Sequence, residues 1–479
     1  MLTYDLSTAD GPLYVSLAKC IRDDITAGRL HRSEHLPSKR SLARNLGIST
    51  ITVQNAYDQL VSEGYVTAKE RRGYFVADIG VLPNAMPHTS DPIHSLYTSD
   101  EDEAVFDFSS DRADTAFFPF SIWARLTREM LTNHKEEMLT VPPSAGVYSL
   151  RSAIAEHLSS FRGMKADPAQ IIVGAGTEYL YGLLIQLLGR KRIYCIENPG
   201  YRKLIEIYQH QGVHCALADI DKDGIRVDAP EEADAEVAHI CPNHHFPTGI
   251  TMPVSRRYEL LAWVNRIDGR YIIEDDYDSE FRMKGRPLPT LQSIDAAGRV
   301  IYMNTFSKSL ASTIRISYMV LPVDLASRFA AELSFYSCTV PVLEQYTLAA
   351  FIRRGFFERH INRMRRHYAR LRDKILLAIC EAFPDGECSV IENDSGLHFL
   401  LKAHTDVPDD KVQERLLREG IRIQSIGDFC MDGKEHVQHM FLVNYSCMDI
   451  QRLPKSLRAL GRAIQETGND SAKDLAWQS

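Results

Sequence analysis

Apolar residues recur at helical spacing in three short stretches near the start of the chain. Leu13, Leu17, Ile21 and Ile25 form one stripe, which runs out near Gly28. Ser38 can cap a second helix with Leu42, Ala43 and Leu46 on its inner face, stopped by Gly47. Ser49 can cap a third, whose inner face is Val53, Ala56, Tyr57 and Leu60 and whose end is Gly64. Two short helices joined by a tight Gly-containing turn predict a helix-turn-helix. The period then falls to two. Tyr65-Val66-Thr67 and Tyr74-Phe75-Val76 alternate around Lys69-Glu70-Arg71-Arg72-Gly73, which predicts a β-hairpin wing.

From about residue 108 the pattern changes again. Short apolar runs alternate with helical stretches: Ile171-Ile172-Val173, Ile193-Tyr194-Cys195-Ile196, Val237-Ala238-His239-Ile240, Tyr271-Ile272-Ile273-Glu274, Val300-Ile301-Tyr302-Met303 and residues 316–321. Strands this apolar predict an α/β domain around a mostly buried sheet. The longest apolar run of helical character, residues 179–188, is too short to span a bilayer.

Composition adds a scale. A chain of 479 residues has room for roughly two to four domains, and 44% hydrophobic with 25% charged residues is globular rather than disordered. The net charge of −8 at first disfavours nucleic acid, but it is unevenly spread. Residues 1–77 hold ten Lys/Arg against eight Asp/Glu, a balance of +2. Residues 78–107 hold seven acids, no Lys or Arg and three prolines, a balance of −7, and the remainder carries −3. An aperiodic acidic stretch of that length reads as a linker between domains at 1–77 and 108–465, with a polar tail at 466–479. The nine cysteines form no C-x-x-C pair, which predicts reduced thiols in a cytoplasmic protein. The first ten residues lack a basic segment, so no signal peptide is expected.

The motif "LPSKRSLARNLGISTITVQNAYDQLVSEGYV…RRGYFV" resembles the winged helix-turn-helix of the GntR regulators over residues 11–77. The resemblance implies that the second helix of the motif enters the major groove of double-stranded DNA, with the wing near the minor groove. Groove-facing candidates are then Ser49, Thr50, Thr52 and Gln54, with Arg72-Gly73 at the wing tip. Thr50 stands where family members often carry Arg, and no Lys or Arg occurs between Ser49 and Glu63. Bidentate reading of guanine is therefore absent from this helix, and phosphate contacts fall to Lys39, Arg40, Arg44, Lys69, Arg71 and Arg72.

Three strand ends in the larger region carry unusual chemistry. Gly174-Ala175-Gly176-Thr177 follows a strand and opens a helix, so its N–H groups can hold an anion. Asp275 and Asp276 end a very apolar strand, where a carboxylate needs a cationic partner. Thr305-Phe306-Ser307-Lys308 sets a lysine among hydroxyls, with Arg315 seven residues on. Kept from water and beside cations, such an amine loses basicity, as a Schiff-base lysine requires. Pyridoxal 5'-phosphate matches the set: an aldehyde for the lysine, a pyridinium nitrogen for the acid, and a phosphate for the nest and the arginine.

The motifs "GAGTEYLYGLL", "ENPGY", "PNHHFPTG", "IEDDYDSEF" and "NTFSKSLASTIRISY" also resemble, in order, those of the fold-type-I aminotransferases, with a large and a small subdomain. By that resemblance Lys308 is the Schiff-base lysine and Asp275 pairs with the pyridine nitrogen. Tyr277 reaches the phenolic oxygen, Tyr201 stacks on the ring, and Gly176, Thr177, Thr305, Ser307 and Arg315 hold the phosphate. Asp276 and Asp278 receive no role. His244 and His245 look like a metal pair, but no third ligand lies at a suggestive spacing, so no metal is expected.

Winged helix, linker and aminotransferase-like domain, in that order, resemble the MocR family of regulators. The resemblance implies a homodimeric DNA-binding protein that senses pyridoxal phosphate, or an amino acid or amine, through an internal or external aldimine at Lys308. Its target genes would belong to vitamin B6 or amino-acid metabolism. The alternatives are an active transaminase with a vestigial DNA-binding domain, and a B6 carrier. Segment 439–445 has no Arg to clamp a substrate carboxylate, and Phe246 stands where the family's "NPTG" loop has asparagine. Both departures count against efficient turnover and leave Lys308 and Asp275 in place.

Overall fold

The computed structural model describes residues 2–4, 6, 11–79, 106–110, 115–282, 288–391, 395–433 and 438–465. Most of the expected linker and the whole expected tail at 466–479 lie outside these residues. The chain forms two compact units, divided between Glu101 and Asp102.

In the first unit, α1 (Leu13–Thr26), α2 (Lys39–Leu46) and α3 (Thr50–Ser62) precede a hairpin of β1 (Val66–Lys69) and β2 (Gly73–Val76). Leu17, Ile21, Leu42, Val53, Tyr57 and Leu60 close a small core. Leu13 departs from the predicted stripe. It opens α1 and is 42% exposed, because the first turn overshoots the core. The Ser38 hydroxyl accepts the Ser41 N–H at 3.2 Å, and the Ser49 hydroxyl accepts the Thr52 N–H at 3.0 Å, so both predicted caps form. Gly47 takes φ 66° between the helices, where a side chain would strain the turn.

The second unit opens with β3 (Phe106–Asp107), inside the stretch that composition assigns to the linker. Phe106 and Phe108 are buried, their rings edge to face at 5.0 Å. Next come β4 (Ile171–Gly174), β5 (Ile193–Asn198), β6 (His214–Asp221), β7 (Gly224–Ile225), β8 (Val237–Ile240), β9 (Tyr271–Asp275), β10 (Val300–Thr305) and β11 (Ser317–Val320). They form one sheet in the order β4-β11-β10-β9-β8-β5-β6-β7, with the five strands β10, β9, β8, β5 and β6 parallel to one another. All six predicted runs are in it. β6 went unread because His-Cys-Ala-Leu-Ala-Asp-Ile-Asp lies near the sheet edge and needs little apolar character.

The remaining strands are β12 (Cys388–Ile391), β13 (His398–Ala403), β14 (Ile421–Arg422), β15 (Gln424–Ser425) and β16 (Met440–Asn444). Strands β12, β13, β16 and β15 make a smaller antiparallel sheet, and β14 pairs with β3. One apolar core runs from Ile154 and Val173 to Phe399, Val443 and Leu460 and includes Phe106 and Ile421, so all three sheets of this unit share it. Among the described residues, no helix is long and apolar enough to cross a membrane.

Candidate functional site

The parallel strands bring their C-terminal ends to one edge, the usual ligand crevice of an open α/β sheet. β9 ends on Asp275, in register with Met303 of β10, and β10 runs into the short turn Phe306–Ser309 that carries Lys308. Lys308 is partly buried. Asp275 is 8% exposed, and its Oδ2 accepts the Tyr181 hydroxyl at 2.7 Å. His239 Nε2 lies 3.5 Å from the same oxygen, while its Nδ1 meets the Tyr208 hydroxyl at 2.7 Å. Burial and the adjacent Asp275 raise the Tyr181 phenol well above its ordinary pKa, so it stays a donor. Oδ1 of Asp275 is buried without a hydrogen-bond partner. A buried carboxylate oxygen of this kind lacks one donor, and a protonated pyridine nitrogen is such a donor.

The anion end is built from β4 and β11. Gly176, at φ 94°, caps the helix Thr177–Leu188, and a Cβ there would lie 2.5 Å from an Arg315 guanidinium nitrogen. The positive φ favours glycine at this position, and a side chain there would push the Arg315 guanidinium aside. Glu178 is shared between Lys203 and, at 3.9 Å, Arg315. Thr305 accepts the Ser307 N–H at 3.1 Å and the Ser317 hydroxyl at 2.8 Å. Ser307 spends its hydroxyl proton on the Ile314 carbonyl at 2.9 Å. Both donors of Ser307 therefore close the loop that carries Lys308.

Tyr201 opens the helix Arg202–His210, 46% exposed, with its ring edge-on to Phe246 at 6.0 Å. The Tyr277 hydroxyl lies 3.2 Å from His244 Nδ1. Tyr181, Tyr208 and His239 are site residues that motif reading missed. Tyr181 stands inside the quoted "GAGTEYLYGLL" and His239 inside a quoted strand, so facing positions at i+4 and on β8 were the available signal.

Asp276 is a structural charge. Burial pushes its carboxyl up, but Arg162, the Tyr302 hydroxyl at 2.6 Å and the Ser279 hydroxyl at 2.8 Å outweigh this and hold it below the usual range. Glu197 is its opposite. Burial, then Asp275, raises it to about 8, against the Cys241 N–H that it accepts at 2.8 Å. Its neighbour His245, 3.5 Å away, is pushed by burial and by His244 to about 3. Both are therefore neutral near pH 7, and the contact is a polar packing pair rather than a salt bridge.

His244 does find partners outside its own loop. Its Nδ1 lies 2.8 Å from Asp278 Oδ2, and its ring centroid is 4.3 Å from that of His398 on β13. Sequence spacing hides this grouping because Asp278 and His398 arrive from separate elements.

In the first unit, Ser49, Thr50 and Gln54 are exposed on α3 and Thr52 is half-buried. Ile51, 71% exposed beside them, was not anticipated, since its apolar character suggests core. Arg40, Arg44, Ser38, Ser41 and Asn45 line one concavity on and beside α2. Lys39 lies over Tyr74 at 5.8 Å and Lys69 over Phe75 at 4.9 Å. Arg71, at φ 60°, and Arg72 form the exposed hairpin tip, while Gly73 leaves room for His35 Nε2, which bonds the Arg72 carbonyl at 3.0 Å.

Residues 13–76 match the model of the gntR family of bacterial regulatory proteins, and residues 107–460 match that of the class I and II aminotransferases. The HTH-type transcriptional regulator YdeL of Bacillus subtilis is 35% identical over 88% of this chain and 90% of its own length. The probable rhizopine catabolism regulatory protein MocR of Rhizobium meliloti is 31% identical over 87% of each chain. Kynurenine aminotransferase of Pyrococcus horikoshii superposes with a TM-score of 0.66 at 23% identity, covering 75% of this chain and 91% of that one. At that identity the likeness speaks for the fold alone.

Proposed function

Because this chain belongs to the MocR family, GntR-type regulators with a class I and II aminotransferase domain, we propose that it couples pyridoxal phosphate, or an amine effector, to DNA binding. The observation that carries the reading is the buried Asp275 Oδ1, which lacks a donor in the crevice that also receives Lys308. When bound, the cofactor supplies a carbonyl carbon for a primary amine and a ring that withdraws electrons. Lys308 provides that amine. Asp275 takes the pyridine N–H, held in place by the Tyr181 hydroxyl. Gly176, Thr177, Thr305, Ser307 and Arg315 grip the phosphate, Tyr201 covers the ring and Tyr277 reaches the phenolic oxygen.

Lys39, Arg40, Arg44, Lys69, Arg71 and Arg72 contact phosphates of an operator, and Ser49, Thr50, Thr52, Gln54 and Gly73 meet base edges and groove. The protein works in the cytoplasm as a homodimer addressing paired half-sites, at genes of vitamin B6 or amino-acid metabolism. The purified protein should take up pyridoxal phosphate with a visible absorption band that Lys308→Ala abolishes. A wild type that stays colourless with added cofactor would remove the site assignment. The transaminase alternative predicts turnover of amino acids without any effect on DNA affinity.

A further inference from the structure

The long helix Phe356–Ala382 carries Arg359, Arg363 and Arg366 at i, i+4 and i+7, one stripe of its surface. The three line a concavity of about 480 Å3, together with Ile122, Phe356 and the buried His360. Among the described residues none of the three arginines forms a salt bridge. The nearby acids are engaged elsewhere: Glu129 pairs with Arg354, and Glu358 faces a separate hollow beside Glu280. Like charges at this spacing repel, and an anion between them offsets that cost. The Phe356 ring lies under Arg359 at 4.6 Å and Arg125 at 5.5 Å, which adds a fourth guanidinium at the rim.

The concavity reaches the turn that carries Lys308. His360 Nε2 lies 2.9 Å from the Ser309 carbonyl, and Arg363 donates to His360 Nδ1 at 3.3 Å. A carbonyl only accepts and a guanidinium only donates, so Nε2 carries the proton and Nδ1 the lone pair. Burial, helped by the Arg363 charge and opposed by the Ser309 contact, pushes the imidazole down to about 4, so it is neutral near pH 7. The same Arg363 nitrogen also donates to the Phe117 carbonyl at 2.5 Å. One imidazole thus joins the arginine stripe to the residue after Lys308.

We propose that this concavity is a second ligand site, for an organic phosphate monoester, and that its occupancy is felt at Lys308. The arginines take the dianionic head, for which guanidinium forks are suited, and Ile122 and Phe356 take the apolar body. Duplex DNA fits less well, since its phosphates are singly charged diesters and would leave the apolar side uncovered. An anion that draws Arg363 towards it alters the His360 contact and with it the hold on the Ser309 carbonyl. The link to Lys308 rests on the cofactor reading above; the site itself does not.

Full-length protein loaded with one equivalent of pyridoxal phosphate is titrated by calorimetry with phenyl phosphate, phenol and inorganic phosphate. One phenyl phosphate should bind per chain with a dissociation constant of about 1 mM or below, about tenfold tighter than either control. Arg359→Gln with Arg366→Gln, both exposed positions, should weaken it about tenfold, and the paired Lys substitutions should lose less. The visible band should change with the same half-saturation while the cofactor stays on the protein through filtration. Phenol or inorganic phosphate binding as tightly, or no loss in the Gln pair, would overturn the site. Cofactor released into the filtrate would place the phosphate at Arg315 instead and overturn it too. Heat without any change in the band would overturn the link to Lys308 alone. A protein that never shows a band would remove the cofactor reading, and the Gln pair would still decide the site. Failure of phenyl phosphate, with the Gln pair weakening duplex DNA binding, would assign the stripe to nucleic acid and overturn the small ligand.

Discussion

At Gly176 and Gly396 a single hydrogen in place of a side chain makes the contact possible. A Cβ on Gly176 would press on Arg315, and φ 94° already disfavours any L side chain. Gly176→Ala should cost about 1 kcal/mol of stability and, by pushing Arg315 aside, weaken pyridoxal phosphate binding about tenfold in an absorbance titration. Unchanged affinity would show that the arginine does not serve the phosphate. Gly396 is stricter, because its Cβ would lie 1.9 Å from the buried His244 ring. Glu197 gives a pH signature. Its carboxyl titrates near 4.5 when unfolded and about 8 when folded, so between those values only the folded chain keeps the proton. The stabilising difference is full below pH 4.5 and is lost as pH rises through 8. Thermal melts of the cofactor-free protein should fall with pH across that window, and Glu197→Gln should flatten the fall. An equal slope in both proteins would contradict the protonated assignment.

At the scale of elements, α3 carries no Lys or Arg, and its exposed face holds hydroxyls, an amide and Ile51. The proposed function therefore takes specificity from hydrogen bonds and methyl contacts of α3 and affinity from α2 and the hairpin. Arg72→Ala should weaken binding to all sequences alike and lower the slope of log affinity against log salt by about 1. Gln54→Ala should relax preference at one position, by about 1–3 kcal/mol, with the salt slope unchanged. Competition footprinting at several salt concentrations separates the two. In the larger unit, Arg162→Leu leaves Asp276 charged and buried and should cost about 3–5 kcal/mol in denaturant unfolding. These elements were legible in the chain because periodicity, caps and strand-end motifs are local. The buried strands announce themselves by composition, and Lys308, Asp275 and Gly176 stand at their ends. Tyr208 meets His239 beside Asp275, and Asp278 and His398 meet at His244, each from a separate element. Only packing brings them together, so no spacing rule could have found them.

For the whole molecule, the charge of −8 misleads, because most of the excess lies in residues 78–107. Coupling itself needs no pathway to be tested. A ligand that favours one state of the protein shifts DNA affinity by its differential binding alone, and the shift is reciprocal. The decisive measurement is the dissociation constant for DNA upstream of the protein's own gene, with and without saturating pyridoxal phosphate, for wild type and Lys308→Ala. The wild-type constant should change at least about fivefold, the lower end of ordinary allosteric coupling, and the variant's should not change. Equal wild-type constants in the two conditions, or an equal shift in the variant, would contradict the account.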